Sequence, residues 1–145
     1  MAHLILASTS PARQMLLRQA GLTFEIMRPE IDEENLKNTV VRNDPQALAL
    51  ELACAKVVSV ANRFEDAIII GADQVLNCDG EAFDKPGSIE MAGQQLKRLR
   101  GQEHWLETAI CCARNGEVAW HHLARAKLIM RRFSDDFLAR SLSTA

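Results

Sequence analysis

Apolar and polar positions alternate along this chain with periods that assign most of its elements. His3 to Ser8 (HLILAS) is a short apolar run that predicts a strand. It leads into Thr9-Ser10-Pro11, where Ser10 suits a helix N-cap and Pro11 the first helical position. That helix runs through Met15, Leu16, Leu17 and Ala20 and stops at Gly21. Leu22 to Met27 alternates like a second strand, and the acidic, irregular stretch Pro29 to Glu34 reads as a loop. Asn43-Asp44-Pro45 opens a long helix with Asp44 as cap. Leu48, Leu52, Ala55 and Val58 or Ser59 form its apolar stripe, with Lys56 beside it.

Ile68-Ile69-Ile70 predicts a buried strand that delivers Asp73 at or just past its end. Cys78-Asp79-Gly80-Glu81 is a hairpin signal, because Asp-Gly tolerates the positive φ of a type I′ turn. Asp84 to Gly87 is a loop, and Ser88 caps a helix carrying Met91, Leu96 and Leu99 that ends near Gly101. Trp105 to Ala113 and Val118 to Met130 are strands joined at Asn115-Gly116, and Ser134 caps a last helix through Leu142. No repeat or linker interrupts residues 1–145. The sum is one α/β domain, a mixed twisted sheet flanked by helices with a central cleft.

Composition narrows the classes of function. The chain has 145 residues, enough for one domain with its own core, and a net charge of −2. No positive field draws it to nucleic acid or an anionic membrane, so neither is expected as a partner. No apolar run reaches the length of a membrane span, and Leu4 to Ala7 is too short for a signal peptide, so a cytoplasmic location is expected. Cys54, Cys78, Cys111 and Cys112 contain no CxxC pair and read as reduced thiols. His121 and His122 point to opposite faces of one strand, so they do not assemble a zinc site.

Charged residues on separate segments could share a cleft. A helix starting at Pro11 aims free backbone N–H groups at the preceding loop, where a phosphate can sit. Ser10 adds a hydroxyl and Arg13 a forked cation; the more ordinary reading of the spacing alone is that Ser10 is only a cap and Arg13 a surface residue. Lys56 either joins the site or snorkels to water. Lys85 either meets a phosphate or stays a loop lysine, and Glu33 either faces the cleft or belongs to a solvated acidic loop. Asp73 has the strongest case, since an apolar strand resists an idle charge, although a turn aspartate is the alternative.

Taken in order, Leu4-Ile5-Leu6-Ala7-Ser8-Thr9-Ser10-Pro11-Ala12-Arg13, Asp32-Glu33, Leu52-Ala53-Cys54-Ala55-Lys56, Gly71-Ala72-Asp73, Lys85-Pro86 and Leu99-x-Gly101 with His104 and Thr108 resemble the Maf family of nucleoside triphosphate pyrophosphatases. The resemblance implies a Maf/Ham1-like fold. It also implies hydrolysis of a nucleoside triphosphate to monophosphate and pyrophosphate with a divalent cation, Mg²⁺ or Mn²⁺. By the same resemblance Asp73 is the general base and Glu33 the second carboxylate near the metal, while Ser10, Arg13, Lys56 and Lys85 bind the triphosphate and offset its charge. Ala12 and Gln74 occupy positions at which the family divides by substrate. Gln74 resembles the branch acting on 7-methyl-GTP, whereas Ala12 matches neither branch.

The chain also departs from the family pattern. Relatives extend several tens of residues further, so Ser143-Thr144-Ala145 reads as an early end that exposes a sheet edge, which a homodimer would cover. Asp84 stands where the family has glycine, placing a negative charge beside Lys85. Arg100 replaces a serine and reads as a neutral surface change. These departures keep alternatives open: a nucleotide-binding relative with little hydrolysis, or an interaction domain on a decayed fold. The retained charged set favours the enzyme.

Overall fold

A computed structural model of the chain describes residues 3–39 and 44–144; Asn43 and Ala145 lie outside the described residues. In chain order the elements are β1 (His3–Leu6), α1 (Pro11–Gln19), β2 (Glu25–Ile26), α2 (Glu33–Thr39), α3 (Pro45–Ala61), β3 (Ala67–Cys78), β4 (Glu81–Phe83), α4 (Ile89–Leu99), β5 (Glu103–Arg114), β6 (Glu117–Ile129) and α5 (Asp135–Ser143). The strands form one sheet in the order β2-β1-β3-β5-β6, with β4 paired to the end of β3. β1 runs parallel to β2 and β3, and the remaining pairings are antiparallel. This is the expected mixed sheet flanked by helices.

Local chemistry sets most element ends as the sequence predicts. The side chains of Ser10, Asp44, Ser88 and Ser134 each accept a hydrogen bond from a first-turn backbone N–H. Asp79 and Gly80, at φ 53° and 81°, make the β3–β4 turn, and Asn115 and Gly116, at 51° and 84°, make the β5–β6 turn.

Four expectations are corrected. The strand predicted over Leu22 to Met27 shrinks to Glu25–Ile26, because only these two residues pair with β1, opposite Ile5 and Leu6. Glu33 and Glu34 are not on a loop but open α2. Asp32 accepts from the Asn35 N–H at 3.0 Å, and acidic residues in a first turn suit the helix dipole. The isoleucine strand does not stop near Asp73; pairing with β5 carries it on to Cys78, so Asp73 is mid-strand. Arg100 is not a neutral surface residue. Its Nη1 donates to Asp135 at 2.6 Å and to the Phe133 carbonyl at 3.2 Å, tying the end of α4 to the start of α5.

The core forms where α3 lies across β3 and β5. Leu48, Leu52, Val57 and Val60 pack against Ile5, Ile69, Ala109 and Cys111. On β3 the burial alternates, so Ala67, Ile69, Gly71, Asp73 and Val75 turn under the helix and Gln74 turns away. Gly71 sets the helix-to-sheet distance: a Cβ there would collide with Val57 Cγ1. At the far edge of the sheet all 13 residues of β6 are exposed, and no further strand pairs with it among the described residues. Gly71→Ala is expected to push α3 outward and cost about 1–3 kcal/mol in urea unfolding. An unchanged midpoint and slope would show that the close approach is not needed.

Candidate active site

α3 and β3 meet at a buried ion pair. Lys56 Nζ donates to Asp73 Oδ1 at 2.8 Å and lies 3.1 Å from Glu33 Oε1. Lys56 is 8% exposed and Asp73 9%, so the lysine does not snorkel to water. It lies on the buried stripe of α3 and not beside it: Ala53, Val57 and Val60 are buried while Ala55, Val58 and Ser59 are only partly so, because the helix turns residues 53, 56, 57 and 60 toward the sheet. Glu33, at the first turn of α2, closes the group from the solvent side.

The field at Asp73 is mixed. Desolvation raises its pKa and is the largest influence; the Lys56 hydrogen bond and charge and the Arg13 charge oppose it, and the Glu33 charge adds to it. The net result is a carboxyl above its ordinary value. Glu107 provides the contrast, since it sits on the same face of the sheet and is 1% exposed. Desolvation also acts to raise Glu107. It is outweighed by hydrogen bonds from Arg125, Asn77 and Gln46, so that carboxyl is held below the usual range. Two buried carboxyls on one face are thus shifted in opposite directions, Glu107 toward the anion and Asp73 toward the neutral form.

A cavity of about 560 Å³ opens over this pair, bordered by Ser10, Arg13, Glu33, Lys56, Asp73, Gln74 and Lys85. A neighbouring cavity of about 850 Å³ shares Ser10, Arg13, Glu33, Lys56 and Lys85 with it. Ser10 both borders the cleft and caps α1, accepting from the Arg13 N–H at 3.4 Å, so its two sequence readings hold together. Ala12 is absent from this cavity. It lines an apolar groove of about 490 Å³ with Leu16, Leu17, Ile70 and Ile110. Gln74 and Arg13 border both spaces, and Gln74 Nε2 donates to Thr108 Oγ1 at 2.9 Å. Lys37 borders the same 560 Å³ cavity, although sequence reasoning missed it. Its only available signal was its place four residues after Glu33, one helical turn away.

No group of three or more His, Cys, Asp or Glu residues positioned for a metal ion occurs among the described residues. Glu33 and Asp73 nevertheless converge on one ammonium at the cavity wall. Two hard carboxylates, completed by phosphate oxygens and water, fit the way magnesium is held at nucleotide sites.

The family profile described as Maf-like protein matches residues 3–145. The chain is 41% identical over 142 residues to a nucleoside triphosphate pyrophosphatase of Granulibacter bethesdensis, covering 97% of this chain and 72% of that protein. It is 42% identical over 142 residues to a 7-methyl-GTP pyrophosphatase of Rhizobium etli, covering 97% and 71%. A solved structure of a HAM1 protein from Coxiella burnetii matches with a TM-score of 0.55 at 12% identity, over 88% of this chain and 71% of that one. That likeness concerns the fold.

The sign of the Asp73 shift has a measurable consequence. Because the folded carboxyl titrates above the unfolded one, its contribution to stability falls as pH rises from the unfolded value through the folded one. Lys56→Met removes the main opposing influence, so Asp73 should titrate higher still and the neutral-pH chain should lose about 3 kcal/mol. Carboxyl-resolved NMR titration and urea melts across that range check both; an Asp73 value that stays or falls would refute the assignment.

Proposed function

The chain belongs to the family of Maf-like proteins, and from that premise we propose that it hydrolyses a nucleoside triphosphate, of the 7-methyl-GTP class, to the monophosphate and pyrophosphate. The observation that carries the reading is the buried Lys56 ammonium holding Asp73 and Glu33 at the wall of a cavity also bordered by Arg13 and Lys85. Such a wall suits a polyanion beside a base.

In this reading water attacks the α-phosphorus, its proton passes to Asp73, and the bond to the bridging oxygen breaks as pyrophosphate leaves. Lys56 engages Oδ1, which leaves Oδ2 to take the proton. An upward-shifted carboxyl is a better base than an ordinary aspartate. Arg13, Lys56 and Lys85 offset charge on the phosphate oxygens, and Ser10 with the α1 N-terminus positions them. A divalent cation, Mg²⁺ or Mn²⁺, held by Glu33 and Asp73 would neutralise phosphate charge and help orient the substrate.

Base selection falls to Gln74, whose amide can both donate and accept at the junction of the charged cavity and the apolar groove. The two relatives described above carry different substrate names, so this residue is the one to test. A pyrophosphate-release assay on a triphosphate panel with magnesium or manganese should show turnover that Asp73→Asn reduces about 10²–10⁴-fold. A wild-type chain no faster than Asp73→Asn would overturn the proposal, with retained nucleotide binding marking a binding module instead. Gln74→Thr should change the ratio between purine and pyrimidine substrates about tenfold; an unchanged ratio would remove Gln74 from selection.

A further inference from the structure

Asp84 and Lys37 border the cavity opposite each other in sequence, one on the loop before Lys85 and one on α2. Lys37 Nζ donates to Asp84 Oδ1 at 3.3 Å, across 47 positions of the chain. Asp84 therefore does not simply confront Lys85 with a negative charge, as the sequence suggested. We propose that Lys37 is a further triphosphate-binding cation of this chain, held in reserve by Asp84 until a polyanion displaces that carboxylate. This rests on the proposed nucleotide-hydrolysing function and adds a residue to its site.

The placement of α2 supports it. Glu33 and Lys37 are one turn apart and share a face; the first reaches Lys56 and the second reaches Asp84. The seven-residue helix is thus tethered to the cavity at both ends of that face. The Asp84 loop is separately fixed, because Gln95 Nε2 donates to the Asp84 carbonyl at 2.7 Å. Lys37 and Asp84 are consequently held in register by the fold and not by each other alone.

Charge and exposure explain why the pair can exchange. The Lys37 side chain is 28% exposed and that of Asp84 49%, which puts the pair in the weak class of solvent-screened ion pairs. A triphosphate offers several oxygens and more charge than one carboxylate, so it is the stronger partner for the same ammonium. Around the cavity, Arg13, Lys37, Lys56 and Lys85 face Glu33, Asp73 and Asp84. Among the described residues Lys37 is thus the cation that takes the lining from a balance of three against three to a positive surplus.

Calorimetric binding of inorganic tripolyphosphate to the full chain, in magnesium buffer, tests this without relying on hydrolysis. Lys37→Met should weaken binding about 3–10-fold, the scale of one partly exposed charge pair, while Lys37→Arg should retain it. Asp84→Asn should tighten binding in the wild-type background and much less in Lys37→Met. Indifference of affinity to Lys37→Met overturns the inference, as does equal tightening by Asp84→Asn in both backgrounds, which would make Asp84 only a repulsive charge. If tripolyphosphate binds through Lys37 but no nucleoside triphosphate releases pyrophosphate, the inference stands and the proposed function falls. If pyrophosphate release depends on Asp73 while affinity ignores Lys37, the reverse holds.

Discussion

The contact on which the rest depends is the buried ammonium of Lys56 between Asp73 and Glu33. Lys56 and Asp73 would each be costly to bury alone, and the half-exposed Glu33 adds a second carboxylate that makes the burial of the lysine tolerable. The contact also fixes geometry. α3 must lie close enough over β3 for a lysine side chain to reach a mid-strand aspartate, and Gly71, under Val57, permits that approach two residues before Asp73. The core that surrounds the pair, built from Leu52, Val57, Ile69 and Ala109, excludes most of the water that would screen it. Packing and electrostatics thus meet at one place.

That arrangement also separates the two buried carboxyls, Asp73 and Glu107, by their surroundings. Both lie on the helix-covered face of the sheet. Arg125 donates to Glu107 from Nε at 2.9 and 3.0 Å to its two oxygens, and Asn77 adds a third contact at 3.2 Å. With its acceptor capacity satisfied, Glu107 gains little by taking a proton. Asp73 has one ammonium, shared with Glu33; desolvation and the Glu33 charge favour its neutral form and outweigh the Lys56 contacts and the Arg13 charge. Local satisfaction of lone pairs, more than depth of burial, separates a structural anion from a base.

Much of this was legible in the sequence wherever local chemistry decides. The Ser-Pro and Asp-Pro helix starts, the Asp79-Gly80 and Asn115-Gly116 turns and the apolar runs of β1 and β3 need only neighbouring residues to be read. The same holds for the cleft residues Ser10, Arg13, Glu33, Lys56, Asp73, Gln74 and Lys85, which the resemblance to the Maf family put in order and which border one cavity. What escaped was set by distant partners. The length of β3 depends on β5, 34 positions away at Gln74 and Thr108, and pairing with it moved Asp73 from a strand end to a strand middle. The inward turn of Lys56 depends on a carboxylate 17 positions on, and Lys37 meets Asp84 across 47 positions of the chain. Arg100 looked incidental because its partners, Phe133 and Asp135, belong to an element it docks.

The mid-strand position of Asp73 has a consequence that a strand-end position would not. Consecutive residues of a strand point to opposite faces, so Asp73 turns toward α3 while Gln74 turns toward Thr108 and the groove containing Ala12, Leu16 and Ile110. Both still border the charged cavity, since it wraps the strand at this point. Asp73 and Gln74 are therefore adjacent in sequence but embedded in different packing environments, one in the helix-covered core and one in an open apolar groove. A change at Gln74, Thr108 or Ala12 can alter what the groove accepts without disturbing Lys56 or the burial of Asp73. Under the proposed function, such a division would let the choice of nucleotide change without touching the charges buried in the core.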